Sequence, residues 1–113
     1  MTQPDTAVWI VMTNVPDRET AQAIARALVE ARAAACVNVM SACISVYRWR
    51  GKIETADEVP LFIKTTERRY PEVERLIRSL HPYELPEIIA VPAGRGLPDY
   101  LSWVAETTAA GDD

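Results

Sequence analysis

Apolar residues run almost unbroken through Ala7 to Thr13 (AVWIVMT), with Val8, Trp9, Ile10 and Val11 adjacent. That pattern predicts a strand covered on both faces. Asn14-Val15-Pro16-Asp17 breaks the run, placing Asp17 to cap a following helix whose positive end suits Glu19. Inside that helix Ala21, Ile24, Ala25, Leu28 and Val29 fall at i, i+3, i+4, i+7 and i+8, one apolar stripe with Glu30 and Arg32 off it. From Cys36 to Arg50 (CVNVMSACISVYRWR) the helical period disappears and Val, Ile, Tyr and Trp dominate. The segment reads as a long strand, bent near Ser41-Ala42 where the side chains shrink. Gly51 marks a tight turn, and residues Ile53 to Glu67 return as a second long strand in which Val59, Leu61 and Ile63 alternate with Glu58, Phe62 and Lys64. Pro60 has no N–H to donate and therefore belongs at a sheet edge or in a bulge.

Pro71 opens a second helix, striped by Val73, Leu76, Ile77 and Leu80. His81-Pro82-Tyr83-Glu84-Leu85-Pro86 is a turn-rich connector, and Glu87 to Ala93 (EIIAVPA) supplies a fourth strand. Gly94 to Gly96 form a loop before a last helix opened by Pro98-Asp99 and carrying Leu101 and Val104. The order is β-α-β-β-α-β plus a helix. Two right-handed βαβ halves give an α/β (α+β) fold: a ferredoxin-like split βαβ sandwich, with an antiparallel four-stranded sheet, two helices on one face and a C-terminal helix. Neither linker nor repeat divides it, so residues 1–113 form a single domain with an ordered core of about 7–107.

The central hairpin is long for so small a domain. A strand of ~15 residues at about 3.3 Å each spans roughly 50 Å, whereas a compact chain of this length is roughly 34 Å across. A straight Cys36–Glu67 hairpin would overhang with Tyr47, Trp49 and Ile53, costly side chains to leave in water, and with open strand edges. The expectation is an oligomer in which these residues form the interface; a hairpin folded sharply back on its own sheet is the alternative.

Composition narrows the function classes. The 113 residues are 49% hydrophobic and 25% charged, ordinary for a globular domain. A net charge of −4 disfavours nucleic acid as a partner. No stretch approaches the ~20 apolar residues of a membrane span, and the short polar start from Met1 to Thr6 lacks a signal-peptide layout, so a cytoplasmic location is expected with no membrane partner. Two cysteines, Cys36 and Cys43, stand outside any CxxC arrangement and are expected as free thiols.

Several motifs together carry a family resemblance. They are Thr13 with Pro16-Asp17, then Ala34-Ala35-Cys36-Val37-Asn38, then Ser45 to Glu54 (SVYRWRGKIE) across the hairpin. Glu58 and Ile63-Lys64-Thr65-Thr66 follow, with His81 to Ile88 (HPYELPEI) and Asp99 to Trp103 (DYLSW). Over about residues 7–107 the chain resembles the CutA family, small proteins named for divalent-cation tolerance. The resemblance implies a ferredoxin-like fold in an interlocked homotrimer built like PII-type signalling proteins. It also implies an association with copper and other divalent cations, without a settled biochemical activity.

His81 is the only histidine, and imidazole is a good ligand for Cu(II) or zinc. Glu84, and Glu87 beyond it, would add oxygen ligands if the turn folds back. Cys36 and Cys43 would suit Cu(I), but strict alternation over seven residues puts them on opposite faces. Some family members have a cysteine where this chain has Met12 and a second histidine where it has Leu80; the Met12 thioether remains a weak candidate. The candidate metal set is therefore His81, Glu84 and Met12, binding Cu(II) or another divalent cation weakly. The competing reading makes His81 a helix-end residue and Cys36, Cys43 and Met12 buried apolar ones. A closed four-ligand zinc site is excluded within one chain by ligand count.

No catalytic constellation emerges: the lone histidine has no evident Ser or Cys partner, and Asn14-Val15-Pro16-Asp17 is not a glycine-rich phosphate loop. A non-enzymatic role is expected. Cys36, Asn38, Glu58, Lys64 and Tyr83 are the candidate lining of an intersubunit cleft. Lys64, among apolar neighbours, wants an anion: a ligand, or Glu58 in an ion pair that locks the trimer. Two functions follow, a metal-tolerance protein, or a PII-like sensor or scaffold that binds a small ligand between subunits and signals to an unidentified protein partner.

Overall fold

The computed structural model describes residues 6–109. Strand β1 (Val8–Val15) leads into helix α1 (Arg18–Glu30), followed by β2 (Cys36–Val39), β3 (Cys43–Trp49), β4 (Lys52–Thr66), α2 (Tyr70–Leu80), β5 (Ile89–Pro92) and α3 (Pro98–Thr107). Asp17 caps α1 as expected: its Oδ1 accepts from the Thr20 N–H at 2.7 Å. At the other end Arg69 donates to the carbonyls of Ala31 and Arg32, satisfying groups that a helix C-terminus leaves open.

All pairings in the sheet are antiparallel, in the order β2-β4-β1-β5, with β3 also on β4. The expected four strands have become five because the long Cys36–Arg50 strand is split at its bend. Val39 pairs with Leu61 and Cys43 with Glu58, so residues 40–42 oppose only Val59 and Pro60. One extra residue makes a β-bulge. Pro60 sits there, its carbonyl accepting from the Met40 N–H at 2.9 Å, so its missing N–H falls where the ladder is already interrupted.

The bulge also reverses the parity of the strand. Cys36 stands opposite Lys64 and Cys43 opposite Glu58, and Lys64 and Glu58 share a face of β4. Cys36 and Cys43 therefore lie on the same face of the sheet, correcting the expectation from strict alternation.

Arg50 (φ 51°) and Gly51 (φ 83°) form a two-residue turn with both central residues left-handed, the geometry that matches the twist of a tight hairpin. Beyond the bulge β3 and the first half of β4 project as an arm, and the molecule measures 44 × 31 × 22 Å.

One sheet face is sealed. Val11 and Val15 of β1 and Leu61 and Ile63 of β4 pack against Ile24 and Leu28 of α1 and Val73 and Ile77 of α2. Each such side chain contributes about 1.5–3 kcal/mol on burial. On the opposite face α3 covers only one end, where Val104 meets Val8 and Ala35. The rest of that face, including Phe62, Ile89 and Val91, stays open. The expectation that β1 is covered on both faces holds for one of them.

Candidate functional site

The His81–Ile88 connector folds back along the open side of the arm and leaves a cleft of about 840 Å³. Its walls include Tyr47 and Trp49 of β3, Glu58 of β4, Tyr83 and Glu87 of the connector, and Ile89 of β5. Glu58 is only 7% exposed. Its Oε2 accepts from the Tyr83 hydroxyl at 2.8 Å. Burial above all, then this bond and the carboxylate's charge, push the Tyr83 phenol up to about 12. Arg50 closes the outer end, donating to Glu84 at 2.9 Å with its guanidinium 5.2 Å from the Trp49 ring centre. Asn14 donates to Glu87 at 3.2 Å.

A second polar group lies elsewhere on the same sheet face. The Lys64 ammonium donates to Asn38 Oδ1, Cys36 stands directly across from Lys64, and Tyr100 of α3 lies near the Cys36 thiol. Burial, then that thiol, raises the Tyr100 phenol above its ordinary value. Glu58 and Lys64 are six residues apart on one strand, roughly 20 Å at about 3.3 Å per residue. Within the chain the expected Lys64–Glu58 pair is not made: Glu58 holds Tyr83, Lys64 holds Asn38, and no carboxylate among the described residues is within ion-pair distance of Lys64. The five candidate cleft residues thus form two places, Glu58 with Tyr83 and Cys36 with Asn38 and Lys64.

His81 caps α2 and is nearly buried. Its Nε2 is 2.6 Å from the Asn14 carbonyl oxygen, and its Nδ1 accepts from the Tyr83 N–H at 3.2 Å. Since the carbonyl only accepts, Nε2 carries the proton and Nδ1 is bare. The ring ties the end of α2, strand β1 and the connector together with both nitrogens. Glu84 points to Arg50, and Met12 lies on the open sheet face opposite Phe62 and Ile89.

Residues 9–107 match the family model described as CutA1 divalent ion tolerance protein. The chain belongs to the CutA1 family. It is 43% identical over 99 residues to the divalent-cation tolerance protein CutA of Thermus thermophilus, covering 88% of this chain and 96% of that one. To protein CutA of Mus musculus it is 47% identical over 102 residues, covering 90% of this chain but 58% of the mouse protein. The crystal structure of CutA from Xylella fastidiosa superposes with a TM-score of 0.88 at 42% identity, over 90% of this chain and 98% of that one.

The family's name directs attention to a cation, and the residues of one chain do not fit a resident one. Both nitrogens of His81 are committed to the backbone, Glu84 is committed to Arg50, and among the described residues no three His, Cys, Asp or Glu side chains group as ligands. The helix-end reading describes His81 in this chain.

The expected interface residues divide between the two sides of the arm. Ile53 lies on the outer side with Ile44 and Val46, and all three are bare, at 63%, 71% and 67% exposed. Tyr47 and Trp49 lie on the inner side, and Trp49 is half-buried within its own chain by the cleft and by Arg50. Two pairings went unforeseen, Arg50–Glu84 and Cys36–Tyr100. Both join residues far apart in sequence, and the one available signal was that all four belong to the family's matched motifs.

Proposed function

We propose that this CutA1-family chain serves divalent-cation tolerance as a homotrimer, acting by binding rather than catalysis and meeting copper or another divalent cation weakly. The observation that carries the assembly is the bare outer side of the arm. Ile44, Val46 and Ile53 form an apolar row beyond the reach of both helices, and burying such a row against a second copy removes its exposure to water. Tight metal binding is not expected, because His81, the only histidine, has both nitrogens engaged by backbone partners. The acidic chain and the apolar row on its arm fit a protein that assembles with itself in the cytoplasm rather than with nucleic acid or membrane. Among the described residues no helix is long and apolar enough to cross a membrane.

A second reading is favoured by the cleft: a PII-like sensor or scaffold in which a small ligand occupies the space beside Glu58 and Tyr83 and its state is passed to a partner protein. Both readings require the oligomer. Light scattering should give the mass of a trimer that survives dilution, and a stable monomer at micromolar concentration removes the reading. Calorimetry with Cu(II) should show weak binding that His81→Ala retains. The same substitution should destabilise the chain by about 1–3 kcal/mol, because it strands a buried carbonyl and an N–H. Abolished copper binding in a stable His81→Ala trimer would restore histidine as the anchor.

A further inference from the structure

Within the described residues of its own chain Glu58 is a buried carboxylate without a cation. Its Oε2 is held by Tyr83, while Oε1 accepts from no donor among the described residues. Oε1 is also absent from the oxygens sealed without a partner, and Glu58 lines the cleft. A carboxylate offers about four acceptor positions, and one neutral hydroxyl leaves most of its charge unbalanced in a poorly hydrated place. The cleft walls supply nothing to balance it. They contain Glu58, Glu84 and Glu87 and no Lys, Arg or His.

Apart from Asn14 and Ser45, the rest of the lining is apolar or aromatic. Tyr47, Trp49 and Tyr83 present ring surfaces, and Leu85, Ile88 and Ile89 add aliphatic ones. An organic cation with a short alkyl stem answers both needs, with its head on a carboxylate and its stem against the rings. A hydrated metal ion uses only the first. An anion such as a nucleotide phosphate is repelled by Glu58 and Glu87, Glu84 being paired with Arg50.

The protein already makes such a contact at the mouth of the cleft. The Arg50 guanidinium rests 5.2 Å from the Trp49 ring centre and bonds Glu84 at 2.9 Å, from a residue held at φ 51°. A left-handed non-glycine backbone is unfavourable by about 1–2 kcal/mol, so the turn and these partners hold it in place. Deeper in, Glu58 lacks the equivalent guanidinium.

We propose that the cleft between the arm and the His81–Ile88 connector binds a small alkyl guanidinium or alkylamine, with its charged head on Glu58 and its stem along Tyr47, Trp49 and Tyr83. The inference deepens the small-ligand reading and rests on it. It names the class of ligand as an organic cation, distinct from the divalent metal of the family's name.

Calorimetry of the assembled wild-type protein against agmatine is the test, with butyrate and ATP as anionic probes and Zn as the metal probe. Saturable agmatine binding is expected, weakened at least tenfold by Glu58→Gln, which keeps the shape and can still accept from Tyr83. Trp49→Leu should weaken it severalfold. Asp57→Asn removes the same charge from the adjacent residue, which faces away from the cleft, and should leave agmatine binding unchanged. Light scattering and thermal melting of each variant without ligand establish that the assembly persists; if Glu58→Gln fails to assemble, the comparison of Trp49→Leu with Asp57→Asn decides. No saturable uptake of agmatine up to about 10 mM overturns the proposal, as does equal weakening by Asp57→Asn and by the cleft variants. Binding of ATP or butyrate in place of agmatine also overturns it while leaving the small-ligand reading standing. Silence from all three organic probes removes both.

Discussion

Ile53 and Leu61 sit on the same strand, on the same face, in an unbroken alternation, yet Ile53 is bare and Leu61 is wholly enclosed. Between them the helical layer ends. From Val59 to Thr66, β4 is paired with β1, and from Leu61 to Lys64 with β2 as well, with α1 and α2 across its inner face. From Lys52 to Asp57 it has only β3 for company. Alternation specifies a strand and chooses which residues share a face, but the burial of that face depends on what is stacked there. The root of β4 holds this chain's own fold together. Its outer half carries Ile53 on that face beside Thr55 and Asp57, with Ile44 and Val46 across on β3, and no described residue of this chain covers them.

The strongest way to break this comparison is to charge the outer half. Ile44→Asp with Ile53→Asp removes two side chains that each contribute about 1.5–3 kcal/mol when buried, and does so in every chain of the assembly. Light scattering should report monomers while circular dichroism keeps its mixed helix and strand signature, since exposed positions tolerate substitution within about 0.5 kcal/mol. A double variant that remains trimeric with an unchanged melting temperature would show that the outer half of β4 is not the interface.

Truncating the root sharpens the contrast. Leu61→Ala should lower the unfolding free energy by about 2–5 kcal/mol, from lost burial and the cavity left under α1 and α2. Ile53→Ala, made in an Ile44→Asp background once light scattering shows that background to be monomeric, should change it by no more than about 0.5 kcal/mol. Urea unfolding of the two at equal concentration makes the comparison direct, and similar losses would mean that Ile53 is packed within its own chain.

Most of the fold was legible because each element carried its own local signal. Asp17 before the Ala21–Ile24–Leu28 stripe, Pro71 before Val73–Ile77, and alternation through Val59–Leu61–Ile63 were enough to give the order and the sheet. The bend at Ser41-Ala42 was legible as well, but its consequence was not. A single extra residue reverses which side every later side chain faces, so Cys36 and Cys43 joined the same face, while the two-residue turn that pairs Trp49 with Lys52 puts Tyr47 and Trp49 on the face opposite Ile53. In the site, Glu58 and Tyr83 were both identified as cleft residues and they do meet. Within one chain Lys64 does not meet Glu58, and His81, Glu84 and Met12 do not converge, for one reason. Sequence shows which residues are suited to an ion pair or a metal, whereas Asn38, Arg50 and the Asn14 carbonyl, the partners that engage them, are brought close only by the fold.

The finest effect concerns the boundary between the two halves, where Glu58 meets Tyr83. The Tyr83 phenol is pushed from 10 up to about 12, by burial first and then by the bond and charge of Glu58. A folded-state value above the unfolded one favours the protonated phenol in the native protein. The stability it contributes is therefore complete below pH 10 and drains away as the pH climbs from 10 to about 12, where a phenolate would face the Glu58 carboxylate. Tyr70 is also pushed up to about 12 and Tyr100 is raised, so the wild-type curve alone mixes three contributions. The difference between wild type and Tyr83→Phe isolates one of them. Below pH 10 the variant should be less stable by about 1 kcal/mol, the worth of one hydrogen bond whose acceptor is left buried. Through the alkaline window the two urea midpoints should converge, because the wild type is losing an advantage the variant never had. Midpoints that stay parallel throughout that window would place the Tyr83 phenol in ordinary solvent and detach the connector from the arm.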